Sequence, residues 1–356
     1  MRSLLFVVAS FAITILAWGL YGPVLHWGQA DMVTEVGKAA GEKYARLRPF
    51  VCVGMAYFAI GVIVPAVLLV LKGEKGEWTT SGIIYSLAGG ALGAIGALGI
   101  IMAFNFGGKP VFVMPLVFGG APVVNSFLTI YWAKKMKDIG PLFLAGLVMV
   151  LLGAVTVLTN KPSAPKPEAK AEAAAEVEVA PPAETHTMRD FVLRLASIAT
   201  VVLCWGAYGP VLHKGQAAMQ HSRLRPLLCV GLAYFAIAVL VPNLLLATAI
   251  PEASEFNFTG SLWSLAAGAA GAVGALGIIM AFNFGGKPVF VMPLVFGGAP
   301  VVNTLFTTFT SGLADQMSSL FLAGLILVIT GAAMVLVFAP KGPPPKKAEA
   351  AESEEK

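Results

Sequence analysis

Pro115 and Pro122 stand seven residues apart in VMPLVFGGAPVVN, and Pro293 and Pro300 repeat the spacing in the same thirteen letters 178 positions later. Proline has no backbone N–H, so in a helix Pro115 frees the carbonyl of Val111 and Pro122 that of Phe118. Seven residues is close to two helical turns, which brings both free carbonyls to one face. Gly119 and Gly120 lie between the first pair, and Gly297 and Gly298 between the second. The chemistry open to such a face is coordination of a solute hydroxyl or a cation, provided it faces protein or water rather than lipid. A purely structural kink would use the same residues, and both readings stand at this point.

Few polar side chains are available to join them. Asn125 and Asn303 fall deep in apolar runs, Asn105 and Asn283 at the ends of others, and Tyr21, Tyr208, His26 and His213 in two more. Asn and Tyr bind hydroxyls or tie helices together. Trp18 and Trp205 lie too deep for an interfacial belt and suit the wall of a cavity. Lys109 and Lys287 sit in the turns just before the proline-bearing runs. No Asp or Glu falls in the core of any apolar run, so the usual intramembrane carboxylate of proton coupling is missing. The two imidazoles are the groups left that exchange protons near neutral pH as a class. Uniport and cation coupling through free carbonyls are equally open.

This inventory suits a neutral or weakly anionic small metabolite, sugars among the candidates, and disfavours strongly charged cargo. It holds no HExxH, GxSxG or paired intramembrane aspartates, so no enzyme is expected, and no catalytic residue, cofactor or metal site. Cys52, Cys204 and Cys229 lie inside apolar runs without disulfide or metal-ligand spacing.

Such residues need a scaffold, and the composition names its solvent. Of 356 residues 57% are hydrophobic and 12% charged, against about a quarter charged in a soluble domain. Ten runs are long and apolar enough for a bilayer: about 4–26, 50–71, 82–105, 110–132, 140–159, 191–213, 227–248, 261–283, 288–310 and 319–339. The first resembles a signal peptide. However, FVLRLASIATVVLCWGAYGPVLH repeats its pattern mid-chain, so it is expected to be a retained first helix. With so much of the chain in lipid, the partners expected are membrane lipid and a small solute; the net charge of +5 is no argument for nucleic acid.

The runs form two sets of five. GALGIIMAFNFGGKPVFVMPLVFGGAPVVN occurs at 96–125 and again at 274–303, WGLYGPVLHWGQA (18–30) matches WGAYGPVLHKGQA (205–217), and RLRPFVCVGMAYFAIGVIVP (46–65) matches RLRPLLCVGLAYFAIAVLVP (223–242). The expected organisation is a first repeat over 1–159, a disordered Ala/Pro/Glu/Lys linker over 160–188, a second repeat over 189–340 and a disordered tail over 341–356. Five is odd, and the linker has no run long enough to cross again. The second repeat must therefore enter upside down, an arrangement recurrent in secondary transporters. The fold class expected is thus all-α integral membrane, with ten transmembrane helices as two inverted five-helix repeats. Lys and Arg divide 14 to 10 in favour of both termini in the cytoplasm, across a cytoplasmic membrane. Inversion also puts Arg46, Arg48 and Lys109 on one side and Arg223, Arg225 and Lys287 on the other. Gating, contact with an anionic group, or snorkelling would each account for that.

Two glycine stripes complete the pattern: Gly90, Gly93, Gly96 and Gly99 in the third span, Gly268, Gly271, Gly274 and Gly277 in the eighth. Such stripes let another helix approach closely, and could also make room for a solute.

Trp18-Gly19 and Trp205-Gly206 within the first helix of each half, Arg48 and Arg225 opening the second, a short turn joining the third and fourth, Pro122 and Pro300 late in the fourth and a Gly-rich fifth together resemble the drug/metabolite transporter superfamily, in its ten-helix EamA-like and sugar-uptake-type branches. The resemblance covers both five-helix units. It implies that spans 1, 3, 4, 6, 8 and 9 surround a central cavity, with spans 5 and 10 outside. Many members carry a Glu just after the fourth helix, whereas this chain reads WAKKMKD (132–138) and TSGLADQM (310–317), so no role of that Glu carries over. The expected function is a permease working by alternating access. The alternative is a membrane scaffold or sensor that keeps such a fold without transporting.

Overall fold

The computed structural model describes residues 2–40, 42, 44–106, 110–134, 136–160, 188–248, 252–310, 312–338 and 340. Apart from Asn160 and Met188, the expected linker lies outside them, as do the expected tail and Lys109. The described chain is all-helical, and its one strand-like pairing is an isolated bridge between Val33 and Ser254. The helices are α1 (Arg2–Asp31), α2 (Glu35–Ala39), α3 (Leu47–Phe58), α4 (Val64–Leu71), α5 (Thr80–Asn105), α6 (Pro110–Trp132), α7 (Pro141–Thr159), α8 (Met188–Ala218), α9 (Leu224–Phe235), α10 (Val241–Thr248), α11 (Phe258–Asn283), α12 (Pro288–Thr310) and α13 (Ser319–Phe338).

Among the described residues, eight helical segments are long and apolar enough to cross a membrane: Leu4–Asp31, Leu47–Leu71, Thr80–Ala103, Pro141–Thr159, Met188–Ala218, Leu224–Thr248, Phe258–Asn283 and Pro288–Thr310. This is an integral membrane protein. Two shorter apolar stretches, Leu116–Trp132 and Ser319–Val335, lie in α6 and α13.

Two of these segments contain a feature the hydropathy pattern does not announce. A π-helical turn, Ala59–Ile63, joins α3 to α4, and another, Ala236–Leu240, joins α9 to α10. Pro65 and Pro242 follow directly. Each proline lacks the N–H that would close the preceding α-turn, and a wider turn is one way a helix absorbs the missing bond. The two π-turns sit where α3 and α9 cross. A Cβ on Gly231 would fall 2.7 Å from the carbonyl carbon of Gly61, and one on Gly54 2.8 Å from the Cβ of Ala238. Only the smallest residues permit that approach.

The helices pack by exchange between the halves. α1 lies against α11 and α12, and its counterpart α8 against α5 and α6; α3 lies against α11, and α9 against α5; α7 pairs with α13. Along the axis relating these pairs, equivalent residues meet one another. Tyr57 stacks on Tyr234 with ring centroids 3.7 Å apart, Phe58 meets Phe235 at 4.7 Å, and Phe118 meets Phe296 at 6.3 Å. Phe6, near the start of α1, stacks on Phe284 just past α11 at 5.1 Å. Asn283 Nδ2 in turn donates to the carbonyl of His221, just past α8, at 2.7 Å. Thus α1 begins at the end of the bundle where α8 and α11 finish, and α1 and α8 run in opposite directions. This end is called proximal below and the opposite end distal.

At each end a carboxylate of one half caps a helix of the other. Glu74 accepts from the backbone N–H groups of Arg223 (2.9 Å) and Leu224 (3.0 Å), from Arg223 Nε (2.9 Å) and from Ser222 Oγ (2.6 Å). Glu252 does the same distally, accepting from the N–H groups of Arg46 and Leu47, while Arg48 Nη1 donates to Ser254 Oγ at 2.5 Å. Arg225 and Arg48 lie 3.8 Å from these carboxylates, and each glutamate side chain is 6% exposed. Thus Arg223 and Arg225 at one end and Arg48 at the other neutralise an anion that the chain itself supplies, and snorkelling is not needed to explain them. The negative groups also sit at helix N-termini, where the helix dipole favours them. Burial would raise the Glu74 pKa, but its hydrogen bonds from Ser222, Arg223 and Leu224 outweigh this and hold it below the usual carboxylate value.

Glu74→Ala should therefore cost about 1–2 kcal/mol of stability after allowance for solvent screening, read as a lower unfolding temperature in detergent. Because the folded-state value is depressed, the contribution is full above the ordinary carboxylate range. It fades as pH falls through the lowered value, so wild type and variant should converge in acid.

Candidate functional site

The centre of the bundle is aromatic, and glycine decides where each ring lies. Trp18 in α1 spans to α11, where its Nε1 donates to the carbonyl of Gly271 at 3.2 Å, and Trp205 in α8 donates to Gly93 in α5 at the same distance. The indoles rest on Gly274 and Gly96, at which any Cβ would collide with the ring. Further along the stripes, Gly271 faces Tyr57 and Gly93 faces Tyr234, while Gly268 and Gly90 admit the backbones of Val53 and Val230. The glycine stripes are thus filled by the opposite half rather than left as open grooves. Phe296 reaches both indoles, at 6.5 Å each, and Phe118 reaches Trp205 at 6.3 Å. Tyr208 is buried 6.2 Å from Trp18, and Tyr21 packs against the same cluster. Trp18, Trp205 and Phe118 keep partial exposure although they sit between helices. With both indole N–H groups engaged, the two tryptophans have their π faces left to present rather than donors.

Around this cluster the expected residues separate by role. α12 runs through Pro293 and Pro300 without interruption, and α6 is likewise one continuous helix. Both proline pairs therefore lie inside continuous helices, in which isolated missing N–H groups are tolerated. The carbonyl of Pro300 accepts from Thr304 Oγ1 at 2.9 Å. Gly120 seats Val202 of α8, Gly298 seats Ile15 of α1, and Gly297 seats Val150 of α7, whereas the nearest neighbour of Gly119 is Val155, at 3.7 Å from a Cβ there. Pro122 is buried. The side chains of Asn105 and Pro115 and the whole of Lys109 lie outside the described residues. His26 meets Tyr44 distally at 4.3 Å and His213 meets the edge of Phe282 proximally at 5.0 Å; Lys287 is half-buried in the proximal turn.

No protein-family model matches this chain, and no curated protein matches it. The architecture does recur. A crystal structure of a protein matches over 94% of this chain and 97% of its own, with a TM-score of 0.63 and 18% sequence identity. At that identity the likeness concerns the fold.

The two copies of the identical thirty residues differ in environment. Leu116 is 53% exposed and its copy Leu294 5%; Phe118 is half-buried and Phe296 buried. The order reverses further along the same helices, where Asn125 is fully buried and Asn303 only half-buried. The difference follows the end of the bundle, not the copy. Proximally, Asn125 Nδ2 donates to the carbonyl of Pro288 and Gln216 Nε2 to that of Ile279, both at 2.9 Å and both fully buried. Distally, Asn303 lies against Gly22 as Asn125 lies against Gly209, but neither Asn303 nor its companion Gln29, also half-buried, has a side-chain hydrogen bond among the described residues. Among the described residues the proximal end is packed more tightly than the distal one.

Tyr57, Tyr234, Phe118, Phe296, Gln29 and Gln216 complete the site and were not among the residues expected. The signal was present, since Gln is next to last in both copies of the WGxYGPVLHxGQA pattern and Tyr falls in both copies of AYFAI. A polar side chain near the end of an apolar run, however, reads as an ordinary interface residue.

Gly274→Ala and Gly96→Ala should each push an indole off its seat and break its bond to the neighbouring carbonyl. A loss of about 1–3 kcal/mol from overpacking is expected, with a change in tryptophan emission; an unchanged emission spectrum would show that the rings are held by something else.

Proposed function

We propose that this chain is a secondary transporter of a small neutral or weakly anionic metabolite, sugars among the candidates, and a member of the drug/metabolite transporter superfamily. On this reading α6 and α13 complete ten spans, and the halves are inverted five-span repeats that take turns opening a path at either end. The membrane is the cytoplasmic one, with both termini in the cytoplasm. One observation carries the proposal: thirty identical residues occupy two environments, tight at one end and loose at the other. Because the sequence is the same, exchanging the two environments costs little in local preference, and the exchanged arrangement opens the proximal end instead. The antiparallel course of α1 and α8 supports the inversion.

The cargo class follows from what the centre offers. Partly exposed indole and phenyl faces suit the apolar face of a ring, and the lack of a carboxylate in the helix cores leaves a strongly charged solute without a counter-ion. The resemblance implied that spans 1, 3, 4, 6, 8 and 9 surround the cavity. The corresponding helices α1, α5, α6, α8, α11 and α12 supply Trp18, Gly93, Phe118, Trp205, Gly271 and Phe296.

The test is uptake by vesicles containing the purified protein, across sugars, nucleosides, amino acids and organic acids, with and without sodium and at two pH values. At least one neutral or weakly anionic solute should enter faster than into empty vesicles. Asn303→Ala should then lower the initial rate roughly fivefold or more without lowering the inserted yield. A flat panel from well-folded protein would overturn the proposal in favour of a scaffold.

A further inference from the structure

We infer that Asn125 and Gln216 are the latch that holds the proximal end shut, and that Asn303 and Gln29 are its distal counterpart, engaged when that end closes. The inference rests on the alternating-access reading. It adds which side chains set the balance between the two states.

Three observations point to these four residues. First, both proximal bonds join elements that must separate if that end opens: Asn125 of α6 to the start of α12, and Gln216 of α8 to the end of α11. Second, each amide is engaged through its N–H alone. Asn125 Oδ1 and Gln216 Oε1 are buried without a partner, so closure leaves an acceptor unsatisfied that water would satisfy on opening. A latch of this kind holds weakly, as reversible closure requires. Third, the sequence supplies the distal set in the same register. Asn303 and Gln29 are the repeat equivalents of Asn125 and Gln216, and the carbonyls of Pro110 and Ile101 are the equivalents of those of Pro288 and Ile279. Asn303 already lies against Gly22 in the position that Asn125 takes against Gly209. Closing the distal end then brings the carbonyls of Ile101 in α5 and Pro110 in α6 to Gln29 of α1 and Asn303 of α12.

The test uses the full chain in nanodiscs, where both ends are reachable, with Cys52, Cys204 and Cys229 replaced by alanine. Reporters are placed one at a time: Met292→Cys, buried against Gly209 beneath the proximal latch, and His26→Cys near the distal mouth. Each is followed by its rate of labelling with a hydrophilic maleimide. In the Asn125→Ala/Gln216→Ala double variant, labelling at Met292→Cys should rise roughly tenfold, the loss of about 1.4 kcal/mol of bias, and labelling at His26→Cys should fall. In the Gln29→Ala/Asn303→Ala double variant, labelling at Met292→Cys should fall severalfold, because the proximally open state loses its own latch. A rate within twofold of the parent in the first double, or acceleration by both doubles alike, overturns the inference. If the first double does not yield monodisperse protein, the second decides alone, and any result other than slower labelling at Met292→Cys overturns it. Latch variants without effect, alongside a transported solute that still moves the two reporters in opposite directions, would sink the latch and leave the transport reading intact. Reporters that move in opposite directions with no variant and no solute would sink both.

Discussion

A bilayer offers helices no hydrophobic force toward one another, so close packing and interhelical hydrogen bonds must hold them. This chain meets that constraint by exchange. Gly274 and Gly271 of α11 receive Trp18 and Tyr57 from the first half, and Gly96 and Gly93 of α5 receive Trp205 and Tyr234 from the second. α7 and α13 approach closely through paired glycines, Gly153 beside Gly324 and Gly146 beside Gly331, with Val328 and Met334 filling the space next to them. Neither half could fill its own seats, because the ring that fits each groove belongs to the other. The fold is thus one body made of two incomplete ones. The Glu74 and Glu252 caps extend the same logic to the aqueous ends, where a carboxylate of one half terminates a helix of the other.

Exchange of this kind does not by itself make the halves equivalent. Equivalent residues meet along the axis through the Tyr57–Tyr234 and Phe118–Phe296 contacts, and both ends carry a Glu cap, whereas the buried amide bonds differ between the ends. A difference of this kind is what the proposed alternating access would give, with the central contacts as a pivot and the terminal amide bonds as alternatives. The polar bonds agree with this division. Those near the pivot, from Trp18 and Trp205, occur in both copies with the same length. Among the described residues, those from Asn125 and Gln216 occur at one end and are only half satisfied.

Much of this was legible in the sequence. Hydropathy located the apolar helices, the repeat put equivalent residues in register, and the stripes Gly90–Gly99 and Gly268–Gly277 marked where helices cross closely. What could not be read was the identity of the partner. A glycine groove predicts that something large enters, but α11 receiving Trp18 rather than a residue of its own half is a property of the assembled bundle. Arg48 and Arg225 were ambiguous for the same reason. Their carboxylate partners lie some 150 to 200 positions away, and the signal that pairs Arg225 with Glu74 and Arg48 with Glu252 is the repeat, not local spacing. The π-turns at Ala59–Ile63 and Ala236–Leu240 were foreshadowed by Pro65 and Pro242. A proline inside an apolar run, however, fits a kink, a π-turn or an unbroken helix, and α12 took the last course at Pro293 and Pro300.

The uneven drift between the two copies bears on whether the asymmetry is fixed or exchangeable. In a bundle frozen in one arrangement, Leu294 would face a packed environment permanently and Leu116 an open one, and each position would be free to change to suit its own surroundings. The residues around them have done so: Thr14 of α1, bonded to the carbonyl of Gly274 at 3.0 Å, corresponds to Val201 of α8 against Gly99, and Trp27 corresponds to Lys214, whose Nζ lies 3.5 Å from the centroid of the Trp132 ring. Residues 96–125 and 274–303 have not changed at all. A uniform history of recent copying would have spared the flanking helices as well. Identity restricted to the segment whose two copies occupy opposite environments is expected if each copy must fit both, because a substitution that improves the packed state of one then has to survive the open state of the same copy.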